Sequence, residues 1–456
     1  MEGIIDFFCV KKEETDNIMA ETYPIIRFVL DGTNIEFSGS DILECNVLFE
    51  THPISATLPV STASVSIFTT DPRFSIFSDG TFYNALTKHL PMALYVYVDG
   101  VNQIIGQFYL DTWEMETENI LRFQLVDILG VCANTEYPGS FWETDTYVAH
   151  IIEDILKYIG KEAVFDLTVI ERQFKGWIPP SNVRDALQQV CFVARATVRT
   201  NNNKYLAFRP ATLPEQSQAG SYVTVTNAEK ASEQVVTHLP QITDIELISH
   251  DYYNLGAEAQ TVEEIYSAWL EPGNYIISYP KPYWKVWGEG AGAYPIYVAT
   301  EDSRVIVTED SVGIWGDATV RIATELETFM FGSNFVSVNV TVAGQITLWG
   351  YPWLSADRPH RHHETADTSN AITIENAMLV NSENASDVLN KIVEYYNLRH
   401  QTRVKMFPRW LSTGWLYKID SFREKQLLGI AERLEIDLTG GFLTTATFRG
   451  MEYIPE

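Results

Sequence analysis

Strict alternation of apolar and polar residues is the feature that most limits what this chain can fold into. In Met92–Val98 the residues Leu94, Val96 and Val98 alternate with Tyr95 and Tyr97. In Ile120–Asp127, Leu121, Phe123 and Leu125 take one side, with Arg122 and Gln124 on the other. Val336–Val342 sets four valines against Ser337, Asn339 and Thr341, and Arg433–Leu438 sets Leu434, Ile436 and Leu438 against Glu435 and Asp437. A period of two with one wet face is the pattern of antiparallel sheets or barrels. The chain is therefore expected to be mainly β, in an α+β arrangement.

Three segments break the alternation with helical spacing. Thr146–Ile159 carries Val148, Ile151, Ile152, Ile155, Leu156 and Ile159 before a stop at Gly160. In "GWIPPSNVRDALQQVCFVARA" (Gly176–Ala196), Pro179-Pro180 forbids a helix, Ser181 or Asn182 can cap one, and Val183, Leu187, Val190, Cys191 and Ala194 form its stripe. The third, about Ala385–Leu398, follows a cap at Ser382 or Asn384 and buries Ala385, Val388, Leu389, Ile392 and Tyr396.

With 456 residues the chain exceeds one hydrophobic core. The elements divide it into an N-terminal arm (1–21), a first β-barrel domain (22–135) and a small α/β module (136–212). The start of a second barrel domain (213–264) opens on the polar linker "LPEQSQAGS". An inserted, aromatic-rich β subdomain (265–370) follows. The third helix and the remainder of the second barrel close the chain (371–456). No internal period suggests a solenoid or propeller.

Sixty acidic against 32 basic residues give a formal charge of −28, which repels phosphate backbones. No nucleic-acid partner is expected. No apolar run is long enough for a membrane span. "MEGIIDFFCVKKEE" lacks the basic start of a signal peptide, so synthesis and folding in a cytoplasm are expected. Cys9, Cys45, Cys132 and Cys191 are widely separated and are expected to be buried free thiols.

The remaining chemistry is sparse. His360, His362, His363 and Glu364 could suggest zinc, but their spacing does not match paired ligands on one helix face, and the flanks read as a solvated loop. Carboxylate pairs such as Glu263-Glu264 or Glu114 with Glu116 are expected by chance in so acidic a chain. No nucleophile elbow, phosphate loop or dinucleotide fingerprint is present. No catalytic residue, metal site or cofactor is therefore assigned, and no enzyme is expected. Tyr275, Tyr279, Tyr283, Trp284 and Trp287 could stack on sugar rings, giving a receptor- or carbohydrate-binding alternative. Such aromatics more commonly fill sheet cores and protein interfaces, and that assignment is preferred.

One longer pattern remains. "HPISATLPVSTASVSIFT" precedes "IIGQFYLDTWEMETENILRFQLVDILGVCANTEYPGSFWE", and Gly176–Ala196 and "KYLAFRP" follow. Near the end, "ITIENAMLVNSENASDVLNKIVEYYNLR" leads through "VKMFPRW" to "GIAERLEIDLTGGFLTTATFRG". This order resembles the baseplate hub or tail-tip hub proteins of tailed bacteriophages and phage tail-like particles, over about 50–210 and 370–450. The resemblance implies a homotrimer in which two related β-barrel domains per chain present six barrels. It also implies partners: a tail tube or distal tail protein above, a spike, fibre or tail-lysin protein below, and the tape measure protein. The place implied is the virion tail, around a DNA conduit. Gly176–Ala196 then reads as a joint, with Trp177 packed under the helix. No peptidoglycan-cleaving domain is expected, since Glu456 follows soon after the second barrel. The conduit wall is expected to be net acidic, with few exposed lysines or arginines and no affinity for duplex DNA.

Overall fold

The computed structural model describes residues 22–54, 58–77, 80–98, 100–200, 205–290, 297–298, 320–321, 331–332, 334–340, 343–363, 370–407 and 411–454. The fold is mainly β. Thirteen of the described strands join in one sheet that draws on both ends of the chain. Its path runs from Val235–His238 through His400–Met406, Leu443–Glu452 and Gln426–Asp437, then crosses to Ile42–Glu50. From there it continues through Thr62–Phe68, Ile120–Val126, Val101–Thr117, Pro91–Val98 and Thr22–Leu30 to Thr33–Ser38.

The crossing is antiparallel, with Asn46 opposite Asp437 and Glu50 opposite Arg433. Alternation decides what lies beneath. Val65, Leu94, Leu110, Leu121 and Phe123 are sealed in the core of the first half, and Leu434, Ala446 and Phe448 in that of the second. Phe49 packs against both cores. Two separate closed barrels were the expectation. Among the described residues the ladder does not close on itself, because Ile42–Glu50 pairs with the far end of the chain.

The other face of this sheet is laced with ion pairs. Arg433 contacts Glu50 at 2.9 Å and Glu435 at 2.8 Å, and Arg403 reaches Glu435 at 3.5 Å. Arg122 pairs with Glu116 and, at 3.6 Å, with Glu44. Exposed pairs of this kind contribute only ~0–1 kcal/mol each. They do cancel field, so the charge on this face around Glu435 is mixed.

The helices gather against the sheet's flank. Val148–Leu156 continues as a short turn to Gly160, whose φ of 60° is the left-handed stop expected there. Val183–Val193 is capped by Asn182, whose side chain accepts the Asp185 N–H at 2.9 Å. Both bury their stripes in one core with Ala385–Tyr396, which supplies Val388, Leu389 and Ile392. Asn384 provides no side-chain cap to that third helix; Asn381 accepts the N–H groups of Glu383 and Asn384 instead. Within 213–221, Leu213 belongs to this core and Gln216 donates to the Glu452 carbonyl at 2.6 Å, so the first half of the segment is anchored.

The middle of the chain makes a separate small core. Glu263–Leu270, Gly344–Pro352 and Tyr283–Gly290 form one sheet, and Gly273–Ser278 pairs with Phe335–Val340 in another. Val336, Val338, Leu348 and Ile277 fill the space between them. No helix among the described residues is long and apolar enough to cross a membrane.

Candidate functional site

Gly176–Ala196 lies where three parts of the chain meet. Gln173–Ile178 pairs with Ser140–Tyr147, placing Trp177 opposite Phe141. Gly176 has φ 137°, and a Cβ there would come 3.2 Å from the Met378 carbonyl, so glycine lets the 377–380 segment approach. The Ile178 carbonyl accepts from Asn334 Nδ2 at 2.9 Å, which ties in the middle subdomain. Gln189 completes the joint by donating to the Asn376 carbonyl at 2.7 Å and accepting the Met378 N–H at 2.9 Å. Trp177 does not pack under the helix as expected. It is half-buried outside the helical core, whereas Ile178 is fully enclosed in it. Strand alternation explains the exchange, since adjacent residues face opposite ways.

A second junction centres on Asp127. It caps Ile128–Ala133 by accepting the N–H groups of Leu129 (3.0 Å) and Gly130 (3.3 Å). Its other oxygen takes the Ser61 N–H at 3.1 Å and the Thr200 hydroxyl at 2.9 Å. Burial pushes this carboxyl up to about 6, although the hydrogen bonds from Ser61, Thr200 and Gly130 act against it. Asp127 lies on a cleft of about 120 Å³ lined also by Phe49, Gln107, Arg199, Leu411 and Leu434. Arg199 sits 5.3 Å over the Trp415 ring and is lowered to about 10 by burial and by Arg209. The cleft touches both halves of the large sheet and the small module.

A third joint carries a buried acid. Glu432 accepts the Tyr395 hydroxyl at 2.6 Å, linking the helix Ala385–Tyr396 to the sheet. Burial raises the Glu432 carboxyl, and Arg449, stacked 4.2 Å from the Tyr395 ring, works in the opposite direction. Sequence patterning missed the buried Asp127 and Glu432 and the half-buried Thr200, because all three stand at strand ends or bulges where alternation is silent. The Asp127-Ile128-Leu129-Gly130 cap was the one available signal.

The aromatic residues singled out above serve mainly the middle subdomain. Tyr279 and Tyr283 are buried and meet edge to face at 5.8 Å. Tyr283 donates to Glu263 at 3.3 Å, and Tyr275 donates to the Glu271 carbonyl at 2.9 Å. Trp284 stacks on Tyr351 at 5.2 Å and donates to Gln260 at 2.8 Å. The Trp287 side chain lies outside the described residues.

His360, His362 and His363 are not in a loop. They lie in the strand Leu354–His363, paired along its length with Asp244–Tyr253. The loop expectation failed because Pro359 and the charged neighbours mask a strand whose partner is distant in sequence. His360 Nε2 is 3.0 Å from the Ser249 hydroxyl, and His363 Nδ1 is 3.0 Å from Asp244. Glu364 lies outside the described residues. Among the described residues no cluster of His, Cys, Asp and Glu could hold a metal ion. Cys45, Cys132 and Cys191 are buried free thiols, and burial drives Cys132 and Cys191 up to about 12; Cys9 lies outside the described residues.

No protein-family model and no curated protein matches the chain. Solved structures do resemble it. The 43 kDa tail protein of a Shewanella oneidensis prophage aligns with a TM-score of 0.46 at 8% identity, covering 93% of this chain and 98% of that one. A tail protein from Neisseria meningitidis gives 0.47 at 8% identity, over 93% and 96% of the two chains. A prophage tail protein from Listeria monocytogenes gives 0.44 at 9% identity, over 93% and 94%.

Proposed function

We propose that this chain is a structural, non-enzymatic component of a phage tail or tail-like particle: a trimeric hub joining a six-fold tube to a three-fold part below. The observation that carries this is that the two end strands of the sheet's main path, Val235–His238 and Thr33–Ser38, each have one side without a strand partner among the described residues. An exposed edge is a template for further strand pairing, and a soluble chain must cover it. Two different edges on one sheet suit a head-to-tail contact, which closes into a ring when the rotation permits. Each chain would bring two sheet halves, so three chains present six. The motif order noted in the sequence supports the same architecture, with a tube or distal tail protein, a spike, fibre or lysin, and a tape measure protein as partners in the virion tail. Joints built from buried carboxylates and committed aromatics suit a load-bearing part.

Light scattering on the purified chain tests this. A mass of about three times 51.7 kDa is expected, alone or with a tube partner, and particle images should show a three-fold ring with a central hole. Val235, 61% exposed on one edge, offers a control: Val235→Glu should shift the mass toward single chains while leaving the circular dichroism spectrum unchanged. A chain that stays monomeric at every concentration, with tube and spike partners present, overturns the proposal.

A further inference from the structure

We propose that His238 and His400 form an acid-operated latch: charged together, they release the end strand Val235–His238 from the strand it pairs with, His400–Met406. The two residues stand directly opposite each other in antiparallel register. Their rings meet at a steep angle with centroids 5.2 Å apart. Directly opposed residues make the closest side-chain pairs in a sheet, and like charges placed there oppose the pairing. The latch lies within one chain and does not rest on the ring proposed above.

Little else holds the strand down. Val235, Thr237 and His238 are exposed, and Val236 is half-buried. Among the described residues the strand has no second neighbour. Elements with few buried apolar contacts open first. The flanks, in contrast, are tied. The Ala231 N–H donates to the Lys405 carbonyl at 2.8 Å and the Leu239 N–H to the Arg399 carbonyl at 2.7 Å. Arg399 Nε donates back to the Leu239 carbonyl at 3.2 Å. The opening is therefore a local bowing between two fixed points.

The surroundings favour a neutral His400. By alternation it shares a face with the buried Thr402, Val404 and Met406, at the end of their core. Burial holds its imidazole below the ordinary range, and His238 lowers it further. Glu452 favours the charged ring, but it is 2.8 Å from Lys425, and Arg399 disfavours it. Arg403, opposite Val235, reaches Glu435 at 3.5 Å. A folded value below the unfolded one means that this position's stability is present above about pH 6.5 and is lost as pH falls below it. Asp127 acts in the opposite sense, since its raised carboxyl strengthens the fold in acid.

Hydrogen–deuterium exchange of the full chain, read by mass spectrometry from about pH 7.5 to about pH 5 and corrected for intrinsic amide exchange, is the test. Protection within Val235–His238 should fall at least about tenfold across that range, the effect of one pKa unit, while Gln426–Asp437 keeps its protection. His238→Gln and His400→Gln each remove one charge of the pair and should hold the protection of the end strand constant to about twofold. Unchanged protection in the parent overturns the proposal. So does an equal fall in both glutamine variants, or a fall shared with Gln426–Asp437, which would mean global rather than local opening.

Discussion

Val47 stands directly opposite Ile436 in antiparallel register, so the open side of Ile42–Glu50, the third strand of the first half, is completed by the distant strand Gln426–Asp437. Ile436 and Leu438 pack against the core that contains Val47, and Phe49 reaches the neighbouring core. The two halves are thus continuous in both hydrogen bonding and packing, and substitutions at the seam should be felt on both sides.

Leu434 is fully buried beside this seam. Leu434→Ala should cost about 2–5 kcal/mol, the range for emptying a well-packed leucine site. Urea unfolding followed by tryptophan fluorescence and by far-ultraviolet dichroism should shift together. Separate transitions for the two signals would mean that the halves fold independently.

At the joint, Ile178 is enclosed while Trp177 is half-buried. Ile178→Ala should therefore cost about 2–5 kcal/mol, and Trp177→Ala distinctly less despite the larger side chain. Comparing their unfolding midpoints checks this. The reverse order would place Trp177 in the helical core after all.

Asp127 gives a pH signature. Its folded value is raised from 3.8 to about 6, so the native state binds the proton more readily than the unfolded chain. Its contribution to stability is fully present below about pH 4 and is lost as pH rises through about 6, by on the order of 3 kcal/mol. Asp127→Asn should flatten that part of the stability curve. It should also lower the curve by ~1–3 kcal/mol, because an amide nitrogen in place of the second oxygen leaves the Ser61 N–H without an acceptor. Unfolding free energies measured from pH 4 to 7 for both proteins test the two effects separately.

Replacing His360, His362 and His363 together by alanine should leave assembly intact. It removes the Ser249 contact and the Asp244 pair, so a loss of about 1–2 kcal/mol is expected rather than none. Elemental analysis should find no stoichiometric zinc in the parent. Zinc present in the parent and absent from the variant would contradict the strand assignment of these side chains.

Much of the fold was legible because alternation and helical stripes are local. Pro91–Val98, Ile120–Val126 and the caps at Asn182 and Gly160 fall where the residues place them. What stayed hidden depends on distant partners. Nothing near Val47 announces Ile436, and nothing near His360 announces the strand containing Ser249. The joints were obscure for the same reason. Asp127 becomes a junction only when Ser61 and Thr200 arrive.

The seam also sets an order of events during synthesis. Strand Ile42–Glu50 is made long before the strand that covers its free side, Gln426–Asp437, because everything between them in the sequence must be synthesised first. Throughout translation the nascent first half carries an open ladder flanked by apolar side chains, a surface that invites aggregation or chaperone capture. Native pairing of such long sequence separation is intrinsically slow, because loop closure must precede the reward of contact. Ribosome-bound chains truncated before residue 426 should therefore be protease-sensitive in the first half, and protection should appear only once the closing strand has left the tunnel.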